Sequence, residues 1–284
     1  EMTGAKGNRY VFRVGSDTYS QAAAGAAWAM KNLGKKWSFV FADYGWGWSH
    51  YNEHKAVLDK LGADVGDPIA VPLDAKDFLP YLAKVKGDTE QLYSIFFGSQ
   101  SVAYYTQSQS MGLGKRMNRY SVICTHESIS PKQIKGASEG IYVLEYMPRM
   151  LKYKDTPHHR KLRDLMRIDP VDGKEEGSNR IIAGSHYWAV WESVFFIQKA
   201  IEKSGWKSKK DTPDFIQALE GLKVKESFEH PQGDKYIRAQ DHKAVIDFFM
   251  SKIENGEIHV KNNIPSSDVE SRFPPRFDFT KESF

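Results

Sequence analysis

Cysteine is almost absent. Cys124 stands alone, so no intrachain disulfide can form, and a Cys-based zinc or iron–sulfur site lacks its ligands. One thiol does not decide the redox compartment. No apolar run approaches the ~20 residues that a membrane-spanning helix needs. The opening Glu1-Met2-Thr3-Gly4 carries no signal peptide. Charge of one sign is not in excess, since 40 basic against 36 acidic residues leave only +4, spread along the chain. The one local cluster, Lys207, Lys209 and Lys210, lies beside Trp206 and Asp211 and reads as a solvated loop. A nucleic-acid partner would call for a dense basic stripe with interleaved aromatics, and none is present.

Catalytic signatures are missing as well. Gly45-Trp46-Gly47 lacks the third glycine of a dinucleotide loop, and Gly112-Leu113-Gly114-Lys115 lacks the spacing of a Walker loop. There is no Gly-x-Ser-x-Gly elbow, and His126-Glu127 is followed by Ser128-Ile129-Ser130 instead of a second zinc-binding histidine. His158-His159 opens a charged helix and reads as a solvated pair. Asp241-His242 reads as structural, because neighbours in a strand point to opposite faces. No cofactor and no metal are implied.

What is present is an alternation. Residues 9–14 suggest a short strand, and Asp17 a cap for a helix carrying Ala22, Ala23, Ala26, Ala27 and Met30 to Gly34. Trp37 to Ala42 is the near-continuous apolar run of a strand buried on both faces. A turn with Gly45 and Gly47 opens a helix ending at Gly62. The rhythm repeats with strands at 65–71, 91–97, 120–124 and 139–146, and helices at 77–86, 98–111 and 131–136. Such alternation predicts an α/β fold, a parallel sheet with helices on both faces and ligands beyond the carboxyl ends of the strands. After Pro148 helices dominate, at 158–168, 184–203 and 213–220. Strand-like composition returns at 235–260, and the proline-containing end, 262–284, reads as an extended wrap.

The order of motifs resembles the type I periplasmic solute-binding proteins of ABC importers, in the branched-chain amino acid (Leu/Ile/Val-binding) family. It rests on Tyr10-Val11-Phe12-Arg13, Asp43-Tyr44-Gly45-Trp46-Gly47 and the stretch Pro72 to Phe78. Gln107 to Leu113, Gly140, Tyr187-Trp188-Ala189, Ala218 to Gly221 and Gly233 with Ile237 to His242 follow in the same order. The resemblance implies two α/β lobes joined by three crossings and closing on a ligand like a hinge. Mapped onto this chain, residues 1–14 end lobe I, 15–141 form lobe II, 142–237 return to lobe I, and 238–284 finish in lobe II. The family's opening strands have no counterpart here, so lobe I is expected to be incomplete at about 100–150 residues per lobe.

The resemblance also nominates ligand contacts. Trp46 matches the family's aromatic residue before a helix-opening glycine; the alternative is a ring packing its own turn. Ser99 and Gln100 follow the strand ending at Gly98, with helix capping as the alternative role of Ser99. Glu127 matches an acidic residue that pairs with a ligand ammonium, against a plain surface glutamate. Tyr187 matches a tyrosine at the start of a lobe I helix, against core packing; His186 and Tyr44 are further candidates. The implied activity is that of a periplasmic receptor capturing an amino acid, an aromatic carboxylate or an amide, with membrane permease subunits as partners. A cytoplasmic sensor of the same fold is the alternative, and an enzyme ranks last.

Overall fold

The computed structural model describes residues 2–127, 129–182 and 186–284. Its centre is the run expected from the sequence: β1 (Lys36–Ala42) is fully covered from Trp37 onward, and the side chains of Phe39, Val40, Phe41 and Ala42 are at most 1% exposed. Each large apolar side chain buried this way contributes about 1.5–3 kcal/mol, enough to fix the strand at the middle of the sheet. On one side β1 pairs in parallel with β2 (Asp64–Val71) and on the other with β3 (Gln91–Ile95). Beyond β3 come β4 (Asn118–Val122) and β5 (Tyr142–Glu145), also parallel. A second sheet is small and antiparallel, made of β6 (Lys223–Val224), β7 (Lys235–Ile237) and β8 (Ala244–Val245). The chain then returns to the larger sheet as β9 (Phe248–Glu254), antiparallel to β5, and the hairpin strand β10 (Glu257–Ile264). The complete order of the larger sheet is β10-β9-β5-β4-β3-β1-β2.

Asp17 caps the first helix as expected, accepting a bond from the Ser20 amide at 2.8 Å. The helix runs through α1 (Thr18–Gln21), one π turn (Ala22–Ala26) and α2 (Ala27–Leu33). Gly25 lies within the π turn because a Cβ there would sit 1.7 Å from the Tyr120 hydroxyl of β4. α3 (Gly45–Lys60), α4 (Leu79–Leu82), α5 (Gly98–Ser110) and α6 (Leu113–Arg116) complete the cover of the larger sheet. α7 (Pro157–Met166), α8 (Tyr187–Ser204) and α9 (Thr212–Leu219) accompany the smaller sheet.

Several expectations need correction. Residues 9–14 form no strand; only Arg13 bridges, to Lys243, and its neighbours turn. The helix expected over 77–86 is reduced to α4, and the segment at 131–136 is a 3-10 turn, Pro131–Ile134. Near the expected crossings at 141 and 237, β5 pairs within the larger sheet and β8 within the smaller one. The expected start of α8 at Gly184 lies outside the described residues. The end of the chain carries α10 (Ser266–Arg272) and packs back through Phe273 and Phe279, both buried. His159 is buried and sits 2.5 Å from the Pro231 carbonyl, so it is no solvated partner of His158. Asp241 and His242 lie on the β7–β8 connection, where Asp241 accepts from Arg238 and His242 faces Glu220 at 3.2 Å.

Candidate functional site

The connections leaving β1 and β3 diverge, because β2 lies on one side of β1 while β3 and β4 extend on the other. Beyond the carboxyl ends of strands at such a switch point, a parallel sheet leaves a crevice. Tyr44 follows β1 and precedes α3 in an extended conformation. Gly47 lets the first turn of α3 press onto the strand end, since a Cβ there would meet the Ala42 carbonyl at 2.1 Å. That close approach sets Trp46 at the lip. Phe97 follows β3 and is 51% exposed, a cost for a large apolar ring that packing among neighbours only partly offsets.

The three rings form one cluster. Tyr44 and Trp46 have centroids 6.0 Å apart, Tyr44 and Phe97 6.0 Å, and Trp46 and Phe97 6.3 Å at 71°. Tilted and edge-on pairs of this kind are favourable beyond the area they bury. The next strand end adds Cys124 to the lining, with Tyr146 packed behind it. Cys124 lies in the 3-10 segment Ile123–His126 after β4, with its Sγ 3.4 Å from the hydroxyl of Tyr146, which follows β5. The Tyr146 ring is paired with that of His186 at 6.4 Å, and His186 precedes α8, on the side of the smaller sheet. Gly45, Trp46, Cys124 and His186 all line one crevice of about 970 Å³. Burial pushes the Tyr44 hydroxyl up to about 12, and the neighbouring Cys124 adds to the effect, so the phenol stays neutral and can donate a hydrogen bond.

Away from the rings the crevice is polar, with one more cation than carboxylate. Arg13, Lys243 and Arg276 line it together with Asp17 and Glu53. Lys243 pairs with Asp17 at 2.7 Å, and Arg276 holds Glu53 with two contacts of 2.8 Å. Burial opposes ionisation of Asp17, but Lys243, the Ser20 amide and Arg13 together outweigh it and hold the carboxyl below its usual range. Among the described residues no group of three His, Cys, Asp or Glu is placed to hold a metal.

Of the residues nominated from sequence, Trp46 and His186 line the crevice and Tyr44 touches Trp46. Ser99 is exposed on the first turn of α5 and does not cap it; the N-cap position is Phe97 and no side chain caps that end. Gln100 is buried and donates its amide to the Pro72 carbonyl at 2.9 Å, a bond that shapes the β2 exit. Glu127 is half-buried beyond the 3-10 segment, where its charge acts on Arg149. Tyr187 has a buried hydroxyl without a partner among the described residues, and burial raises it to about 12. None of these four is among the lining residues of the crevice. Phe97, Cys124 and Tyr146 were not singled out from sequence; the available signal was that each follows a strand of the parallel sheet.

Comparison with known proteins agrees with this architecture. The Leu/Ile/Val-binding protein homolog 6 of Brucella abortus is 24% identical over 217 residues, 75% of this chain and 52% of that protein. The chain thus spans about half the length of the curated relatives it matches. An amino acid ABC transporter substrate-binding protein from Pseudomonas fluorescens superposes with a TM-score of 0.73 at 21% identity, covering 93% of this chain and 69% of that one. A solute-binding protein from Rhodopseudomonas palustris, solved with p-hydroxybenzoic acid, gives 0.73 at 18% identity, covering 90% and 67%. At these identities the likeness establishes the type I periplasmic-binding fold. The profile of one family, described as periplasmic binding protein, matches residues 1–257, and the chain belongs to that family.

Proposed function

We propose that this chain is the ligand-capturing part of an extracytoplasmic receptor that delivers a small organic solute to the permease subunits of an ABC importer. The carrying observation is Trp46, which lines the crevice together with His186 on the side of the smaller sheet and is backed by the rings of Tyr44 and Phe97 at the switch point. Rings converging on a crevice can cover a planar or apolar group, and polar atoms at the margin can orient it. Contacts from both sides of a crevice stabilise a closed form, which is how capture and delivery are coupled.

An aromatic carboxylate suits this arrangement better than an amino acid. The two carboxylates that line the crevice are already engaged, Asp17 by Lys243 and Glu53 by Arg276. Relatives of both kinds exist, one solved with p-hydroxybenzoic acid and others named for amino acids, so the preference rests on the crevice. A thermal-shift screen of benzoates, branched-chain amino acids and amides tests it. A ligand at a hundredfold its Kd adds about 2.7 kcal/mol to stability. Stabilisation by benzoates and not by amino acids is the expected result; selective stabilisation by amino acids would overturn the ligand class.

A further inference from the structure

The two sheets are joined where the chain leaves β5, at Tyr146, and where it enters β9, at Asp247. One side chain reaches both places. Gln232, 1% exposed on the loop before β7, donates its amide nitrogen to the Tyr146 carbonyl at 2.9 Å and to the Asp247 carbonyl at 2.9 Å. Two carbonyl acceptors require the NH2 end of the amide, so the orientation is fixed by chemistry. We infer that Gln232 is a positioning residue: its amide clasps the two connections and sets how the smaller sheet stands over the crevice.

The clasp is itself held from three directions. Its backbone N–H donates to Glu192 Oε1 of α8 at 2.9 Å, while the other Glu192 oxygen binds Lys235, both side chains fully buried. Its carbonyl accepts from Lys154 Nζ at 2.8 Å. The preceding Pro231 carbonyl is met by His159 of α7. On the other side of the connection, Arg163 donates to the Pro148 and Arg149 carbonyls at 3.2 and 2.7 Å. A loop so anchored moves with α7 and α8, whereas the buried Tyr146 touches Cys124, which lines the crevice. Any rotation of one sheet against the other must carry the two carbonyls relative to Gln232 or keep them clasped to it. Two bonds to buried acceptors shift a two-state balance by on the order of tenfold when removed.

This inference rests on the reading of the crevice as a capture site, but its test needs no ligand. Spin labels at Lys60→Cys and Lys209→Cys, both exposed, in a Cys124→Ser background report the distance between the two sides of the molecule by pulsed electron resonance. With Gln232 present, one narrow distance population is expected. Gln232→Met keeps the length and removes both donors; the expected result is a second population, or a broadening, with the minor component raised on the order of tenfold. An unchanged distribution in folded Gln232→Met, even with a lowered Tm, would reduce Gln232 to a stabilising residue and overturn the proposal. Should the methionine variant not fold, Gln232→Asn, which keeps the donors but is one methylene short, is judged by the same two outcomes. A chain in which the clasp works but no benzoate or amino acid binds would overturn the proposed function and leave this inference standing.

Discussion

The indole of Trp46 stands edge-on to the imidazole of His50, with ring centroids 5.1 Å apart and planes at 88°. One ring faces the crevice and the other is sealed beneath it, in contact with the Tyr93 hydroxyl at 2.8 Å. Trp46 therefore rests on a rigid, uncharged support, and a guest against its outer face meets a wall already in place. Trp46→Ala removes that wall while leaving the core intact. Binding of 4-hydroxybenzoate, measured by calorimetry, should weaken by on the order of tenfold to a hundredfold, with a change in Tm of only a few degrees. Unchanged affinity would separate the ring from the site.

Acid should unfold this protein early, for a reason located in the same support. Burial holds His54 and His126 down to about 3, and His50 well below its ordinary value, with His54 adding to the effect at His50. Unfolded imidazoles titrate near 6.5. Between pH 6.5 and about 3 the unfolded chain binds protons that the native state refuses, so stability falls as pH falls through that window, by at most about 1.4 kcal/mol per pH unit for each histidine. Above pH 7 these residues contribute no slope. Urea midpoints at pH 7.5 and pH 5 check the sign; a midpoint that holds or rises on acidification contradicts it, and His54→Leu should flatten the fall.

Gly47→Ala tests the packing that places the lip. Its Cβ would overlap the Ala42 carbonyl and approach Phe41 at 2.8 Å, so either the helix lifts or the strand end yields. Loss of about 1–3 kcal/mol is expected, together with weaker benzoate binding, because Trp46 moves with the first turn of α3. A variant as stable as the parent would show that the strand end relaxes freely.

Beneath the small sheet, Lys235→Met leaves the buried Glu192 carboxylate without its lysine, held by the Gln232 backbone N–H and facing His230. Removing one member of such a pair costs about 3–5 kcal/mol, measurable as a large drop in the urea midpoint. Replacing both, Glu192→Leu with Lys235→Met, should recover part of the loss; a double variant worse than the single one by the full amount would refute the account.

Glu127→Gln distinguishes the ligand classes directly. With its carboxylate beside Arg149 and outside the crevice, the affinity for a benzoate should change less than twofold. A selective loss of amino-acid binding would instead place Glu127 at the guest.

Much of the architecture could be read from the sequence because burial on both faces writes itself as a continuous apolar run. Trp37 to Ala42 and Leu92 to Ile95 are such runs, and both strands formed where expected. Local signals failed where a distant partner decided. Phe78 looked like a helix residue, but its amide is taken by the Gln107 side chain at 2.7 Å, and α4 is a single turn after it. β5 and β9 pair across roughly a hundred residues, and nothing within either segment announces the other. The crevice shows the same division. Tyr44 and Trp46 were legible as neighbours in a glycine-rich turn, whereas Phe97 joins them only because β3 lies beside β1. Gln100 looked equally available, but its amide was already committed to Pro72.

The clustered rings of Tyr44, Trp46 and Phe97 are borne on short exits from the strands, while the register of the sheet is fixed by residues such as Phe39 and Val40, wholly enclosed a few positions earlier. Rim and scaffold are therefore written in separate letters. Exchanging Phe97, half-exposed beyond the end of β3, for a smaller or more polar side chain reshapes the ring cluster without asking the β-ladder to repair itself, so the tips can vary while the frame stays the same.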